Sequence, residues 1–352
     1  MRLNDELVSL MGIGACIRDN TANINAVDFS KCGRTLVSSS DDESMRIYNC
    51  ESGEQTRLLY SKKYGVCHLR LTHLDGHALC ASRNGWDETI RYLHLEDNRF
   101  LRYFRGHRDR VTALSLHPTS DTFLSSSADR TVRLWDVRSD LCQGLVRMGA
   151  SGVVSHDSEG QCFAVGSGRT VSLYEMRSLD KGPFATFSMP SLTEQSVVSA
   201  VSFSYNGAFI LVTSPTDGVL WLDAVTGAVI HHINQIDLLT EAKVAAPRAG
   251  TRHRGNAFVP RPGSGYAASL TLGGAATAEK QASFSPDGQY VACGSEDGLV
   301  YVWSVVQGRQ IAALPRHPSA VNMVAWNPKY LMLASTCKTL CLWTPPTLSA
   351  DV

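Results

Sequence analysis

The 352-residue chain is short of charge imbalance: 33 Lys and Arg stand against 33 Asp and Glu, for a formal net charge of +0. A neutral chain carries no global field to steer it toward nucleic acid or an anionic membrane. No apolar run approaches the roughly 20 residues of a membrane helix, and the expectation is no membrane association. The first residues carry Asp5 and Glu6 early and only a short apolar stretch, which makes a poor secretory signal. The 10 cysteines follow no framework spacing, so they read as free, mostly buried thiols of a reducing compartment. Catalytic signatures are missing too. The Gly-rich pieces at Gly12–Gly14, Gly166–Gly168 and Gly263–Gly265 lack the downstream Gly-Lys-Ser/Thr of a phosphate loop, and no Gly-x-Ser-x-Gly elbow occurs. Cys337 and Cys341 have no second pair at zinc spacing, and His231 and His232 alternate across a strand. The expectation is therefore no enzyme, no metal and no cofactor.

What is present is a repeat. Gly106–Asp136 reads GHRDRVTALSLHPTSDTFLSSSADRTVRLWD. A Gly-His pair opens it and a Trp-Asp pair closes it, with three short β-rich runs between, at the spacing of one WD repeat. Such a sheet cannot bury its faces alone, so it requires copies on both sides. Degenerate copies follow: 24–60, 65–104, the opening stretch itself, 153–187, 198–233, 281–314 and 321–343. The last lacks a fourth strand, and an apolar segment Ser9–Ile17 can supply it. The expected fold is all-β: a single seven-bladed WD40 β-propeller over residues 1–352, closed by an N-terminal strand that completes the last blade and removes an exposed edge.

Between blades five and six, residues 242–278 contain no Asp or Glu but carry Lys243, Arg248, Arg252, Arg254 and Arg261. They read as a flexible basic insertion. Two readings stay open: a solvated loop, or contact with phosphates of RNA or DNA or with an acidic partner. Only Phe258 and Tyr266 lie within it, which weakens base stacking.

In a WD repeat, a buried hydrogen-bond chain joins the histidine, the turn aspartate, a strand hydroxyl and the tryptophan. Here that maps to His107, Asp129, Trp135 and either Ser125 or Ser127, which share a strand face; Ser127 is taken as the member. The Ser-His-Asp set reads as structural, not as a catalytic triad, because no oxyanion element accompanies it. Asp217 and Trp221, and Asp297 and Trp303, are the remnants in blades five and six.

Stretches beyond the repeat pattern carry a resemblance. LYSKKYGV (59–66), TIRYLHLEDNRFLRYFRGH (89–107), Cys142–Leu145, RSLDKGPFATFSM (177–189) and WNPKYLMLAST (326–336) resemble the WD repeat-containing protein 82 family, which includes a yeast Set1-complex subunit. The insertion and residues 191–196 depart from it. The resemblance implies a non-catalytic scaffold in the nucleus. Its implied partners are a SET-domain histone H3 methyltransferase, a phosphatase-targeting scaffold and through it protein phosphatase 1, and the phosphorylated tail of RNA polymerase II. It implies roles in transcription and its termination, through short partner peptides. Two other classes stay in view: the substrate-recognition propeller of a ubiquitin ligase, which would need an adaptor-binding segment, and an RNA-binding propeller of a 3'-end processing complex.

Loops before each first strand share one face with loops between second and third strands. That face brings together Lys62, Lys63 and Tyr64, the long turn with Asp87 and Glu88, and Arg105, Arg108 and Arg110. Acids for a partner arginine and cations for a carboxylate or phosphate make a plausible peptide grip. The competing reading is a set of solvated turn residues.

Overall fold

The computed structural model describes residues 3–194, 196–233, 281–315 and 317–345. The basic insertion at 242–278 lies outside the described residues. Seven antiparallel four-stranded sheets follow one another along the chain. The innermost strands of successive blades touch in order, and that of blade seven (Met323–Trp326) touches that of blade one (Ile24–Phe29). The protein is a closed seven-bladed propeller.

Alternation along each strand sends apolar side chains to both faces, so the core lies between blades and not within them. Between blades two and three, Phe104 packs edge-on against Phe123 at 4.9 Å and Trp135 at 5.7 Å. Polar ties cross the same seams on the face of the first turns. His73 hydrogen-bonds the His117 carbonyl, His117 that of Gly160, and Asn327 that of Gly33.

The ring closes through Gly12–Ile17, which pairs antiparallel with Leu340–Thr344 across a bulge between Ile13 and Ala15. The strand starts later than the sequence pattern suggests, because Asp5–Ser9 is helical. Asn4 caps it by accepting from the Leu7 amide, and Asp5 and Glu6 fill the first turn, where the helix dipole favours acids. The helix buries Val8 in the blade six–seven cluster with Leu3 and Met11. Asp5 accepts from the Tyr290 hydroxyl at 2.6 Å and meets Arg309 at 3.0 Å.

Blades three and four are linked by His156, whose Nδ1 lies 2.9 Å from the Ser115 hydroxyl. Burial, with the nearby His117, depresses the His156 pKa to about 3. The folded state thus binds fewer protons than the unfolded chain, and stability falls as pH drops from the ordinary value of about 6.5 toward about 3. Between pH 7 and pH 5 this imidazole is expected to remove about 2 kcal/mol. Urea unfolding across that range checks it: His156→Gln should flatten the slope, and an unchanged slope would contradict the assignment.

Candidate functional site

Blade three sets the reference. Neutral His107 turns Nδ1 to Asp129 at 3.1 Å and Nε2 to the Ser125 hydroxyl at 2.7 Å. Trp135 Nε1 donates to the same hydroxyl at 2.8 Å. The carboxylate accepts only, so protons run one way, from Trp135 to Ser125 to His107 to Asp129. Burial lowers the His107 pKa and keeps the ring neutral. Burial works against the Asp129 carboxylate, but bonds from Thr131, the Arg108 amide and His107 overcome it and hold the pKa at about 2. A Cβ at Gly106 would crowd the Arg133 guanidinium at 2.5 Å and the Trp135 ring at 3.1 Å.

The member of this chain is Ser125, not Ser127. Along Thr122–Ser127 the two serines share a face, but Phe123 is the residue opposite Trp135, which puts Ser125 diagonal to the indole and Ser127 a further two-residue step away. Ser127 instead donates to the Asp109 carbonyl and accepts from the Asp129 amide. Ser125→Ala orphans an imidazole and an indole and is expected to cost about 2 kcal/mol, against about 1 kcal/mol for Ser127→Ala. Denaturant midpoints of the two variants check the order.

A second chain of this kind, missed in the sequence, lies in blade seven. His317 Nε2 meets the Ser335 hydroxyl at 2.6 Å, Trp343 Nε1 donates to that hydroxyl at 2.7 Å, and His317 Nδ1 lies 3.2 Å from Cys337 Sγ. A thiol takes the aspartate's role. Burial pushes it up, yet His317, the Thr339 amide and Ser319 bring its pKa down to about 6. The signal was His317 and Trp343 at nearly the spacing of His107 and Trp135, without the preceding glycine. Among the described residues, the remnants in blades five and six bond elsewhere. Trp221 donates to the Val305 carbonyl and Asp297 accepts from the Tyr301 hydroxyl.

Blade two keeps the turn aspartate, Asp87, but departs elsewhere from the reference. Register places Cys80 where blade three has Ser125, and Arg91 opposite it where blade three has Arg133. Leu93 replaces the tryptophan. The Arg91 side chain is 2% exposed. Its guanidinium carbon sits 3.7 Å from the Tyr64 ring centre. Its Nη2 reaches both Asp87 oxygens at 2.8 and 2.6 Å, and Nη1 bonds Ser82. Burial raises the Asp87 carboxyl, but the hydrogen bonds from Arg91 and Ser82 and the Arg91 charge outweigh it, so the net pKa is lowered. Asp87 and Tyr64 thus also serve an internal cluster: the buried guanidinium engages the Asp87 carboxylate, which stays 36% exposed, and stands over the Tyr64 ring.

What remains outward is a basic rim. Lys62, Lys63, Arg105, Arg108 and Arg110 are exposed, with Asp109 among them. Lys63 Nζ lies 5.1 Å over Tyr64 and Arg105 5.8 Å over Tyr103. Glu88 is half-buried, and burial together with the charges of Asp109 and Asp87 raises its pKa, with Arg110 opposing. The turn from Arg83 to Glu88 adds a residue the sequence did not single out. Trp86 is 72% exposed at its tip. Its base is fixed: Arg83 pairs with Asp41 at 3.1 Å, Asn84 donates to Glu43 at 2.9 Å, and the amides of Arg83 and Asn84 both bond the Tyr64 carbonyl. Asn84 also donates to the Lys62 carbonyl, which ties the turn that carries Trp86 to the loop that carries the two lysines. An exposed indole on a turn tied to a basic loop is the usual anatomy of an interface anchor.

Among the described residues no group of three or more His, Cys, Asp or Glu could hold a metal, and no helix is long and apolar enough to cross a membrane.

Residues 14–49, 98–136 and 278–304 match the family model "WD domain, G-beta repeat". Over 98% of its length the chain is 37% identical to WD repeat-containing protein 82 of Drosophila melanogaster, covering 98% of that protein. It is 30% identical to the COMPASS component SWD2 of Saccharomyces cerevisiae, over 90% of this chain and 89% of that one. It is 38% identical to the Set1 complex component swd2 of Schizosaccharomyces pombe, over 58% of each.

Proposed function

Because the chain belongs to the WD repeat-containing protein 82 family of propellers, we propose that it is a non-catalytic scaffold subunit of a nuclear Set1-type histone H3 methyltransferase complex. The observation that carries this reading is near-full-length similarity to a protein named as a COMPASS component. The blade-two architecture supports it. The Ser-His-Asp set of blade three is closed into internal bonding, which leaves binding as the propeller's work. The basic rim of Lys62, Lys63, Arg105, Arg108 and Arg110, with Trp86 at its edge, suits a short acidic or phosphorylated segment. The finer roles implied by the resemblance, in a phosphatase-targeting complex, at the phosphorylated polymerase tail and in transcription termination, use the same rim for the same kind of ligand.

The test is affinity purification of the tagged chain from nuclei, with co-purifying proteins identified by mass spectrometry. A SET-domain methyltransferase is the expected companion, and a phosphatase-targeting subunit supports the second assembly. Recovery of a ubiquitin-ligase adaptor with neither of these would overturn the proposal.

A further inference from the structure

We propose that Cys16 and Cys341 are a disulfide-forming pair that covalently locks the propeller at its closure when a hydroperoxide is present. The closing strand is held to the ring by the ladder of Gly12–Ile17 on Leu340–Thr344, and in that ladder Cys16 stands directly opposite Cys341. Their sulfurs are 3.8 Å apart, across a sequence separation of 325. Opposed residues of an antiparallel pair have Cα atoms about 4.5–5.5 Å apart, within the span a disulfide needs. Side-chain rotation can therefore bring the sulfurs to bonding distance without moving the strands.

The two thiols differ in access. Cys16 is exposed, whereas Cys341 is fully buried beside Trp343 and Leu333. That difference sets the order of events. The Cys16 thiolate attacks the outer oxygen of the hydroperoxide, the O–O bond breaks, and Cys16 sulfenic acid and hydroxide (or an alkoxide) result. Cys341 then attacks the sulfenic sulfur. Its proton leaves with the hydroxyl as water, the S–S bond forms, and two thiols have been oxidised by one reduced peroxide. Burial together with the Cys16 charge raises the Cys341 pKa. Cys341 thus waits as a neutral thiol, and the Cys16 part of that effect disappears once Cys16 is a neutral sulfenic acid. Cys337 does not take the first step, because it is fully buried and a hydroperoxide reaches Cys16 instead.

The experiment uses the purified full chain treated with hydrogen peroxide, alkylated, and digested with trypsin without reduction. Trypsin cuts after Lys338, which separates Cys337 from Cys341, so the pairing is unambiguous. The expected product is residues 3–18 linked to the peptide beginning at Thr339, short by two hydrogens. The melting temperature should rise by about 5 °C, reversed by dithiothreitol, because a cross-link closing so long a loop restricts the unfolded chain. Cys341→Ser changes a buried side chain and could fail to fold, so the control is exposed Cys16→Ser, which should fold normally and show neither the linked peptide nor the rise. Cys16 recovered only as sulfenic or sulfinic acid, or as an intermolecular disulfide, overturns the pairing. The linked peptide without a higher melting temperature overturns the locking role.

Discussion

Asp87→Asn is expected to lower the unfolding free energy by about 3 kcal/mol, although the side chain keeps its shape and lies partly at the surface. The cost comes from its partner. Arg91 is 2% exposed, cannot give up its proton, and has Asp87 as the carboxylate on its Nη2. An amide at position 87 can accept one bond but cannot balance the charge. Arg91→Met is expected to cost less, about 1–2 kcal/mol, since a carboxylate 36% exposed can be rehydrated. The double variant should then be more stable than the sum of the single changes by about 2 kcal/mol. The pH dependence has a definite sign. Asp87 titrates below its ordinary value in the folded state. Its contribution is complete above the unfolded pKa of about 4 and is lost as pH falls through the lower folded value. Urea unfolding of the four proteins at pH 7 and below measures this. An Asp87→Asn cost below about 0.5 kcal/mol, the level of ordinary surface changes, would contradict the cluster.

The repeat spacing made the ring readable. Gly106-His107 and Trp135-Asp136 announce one blade, and the missing fourth strand of blade seven calls for Gly12–Ile17. Less visible were features that depend on diagonal or between-element geometry. Ser125 and Ser127 share a face, and only the register against Trp135 separates them. Arg91 is buried by partners that lie outside its own strand, Asp87, Ser82 and the Tyr64 ring, so nothing local says that it turns inward. The closing strand expected over Ser9–Ile17 begins at Gly12, because the helix Asp5–Ser9, capped by Asn4, takes Ser9. Trp86 reads as an ordinary turn residue in the sequence, because the bonds of Arg83 and Asn84 that anchor its turn reach other loops.

Lys62→Glu, Lys63→Glu and Trp86→Ala combined are expected to weaken binding of the SET-domain partner about 100-fold while leaving stability within about 0.5 kcal/mol. All three side chains are exposed, and none contributes to the Arg91 ion pair. The lysine changes should act through association rate and lose their effect at high salt, whereas the tryptophan change should act through dissociation and persist. Asp87→Lys is unsuitable for this purpose, because a second cation beside Arg91 would destabilise blade two itself. Binding kinetics at two salt concentrations separate the contributions, and a salt-independent lysine effect would speak against electrostatic capture.

The most direct measurement is amide hydrogen exchange on the chain, free and bound to a reconstituted SET-domain assembly. Protection is expected at Ser61–Val66, Ser82–Thr89 and Arg105–Val111, the loops that carry Lys62, Lys63, Trp86, Arg105, Arg108 and Arg110. Protection confined to the opposite face, at Ser30–Gly33 and His117–Asp121, or no complex at all, would contradict the account.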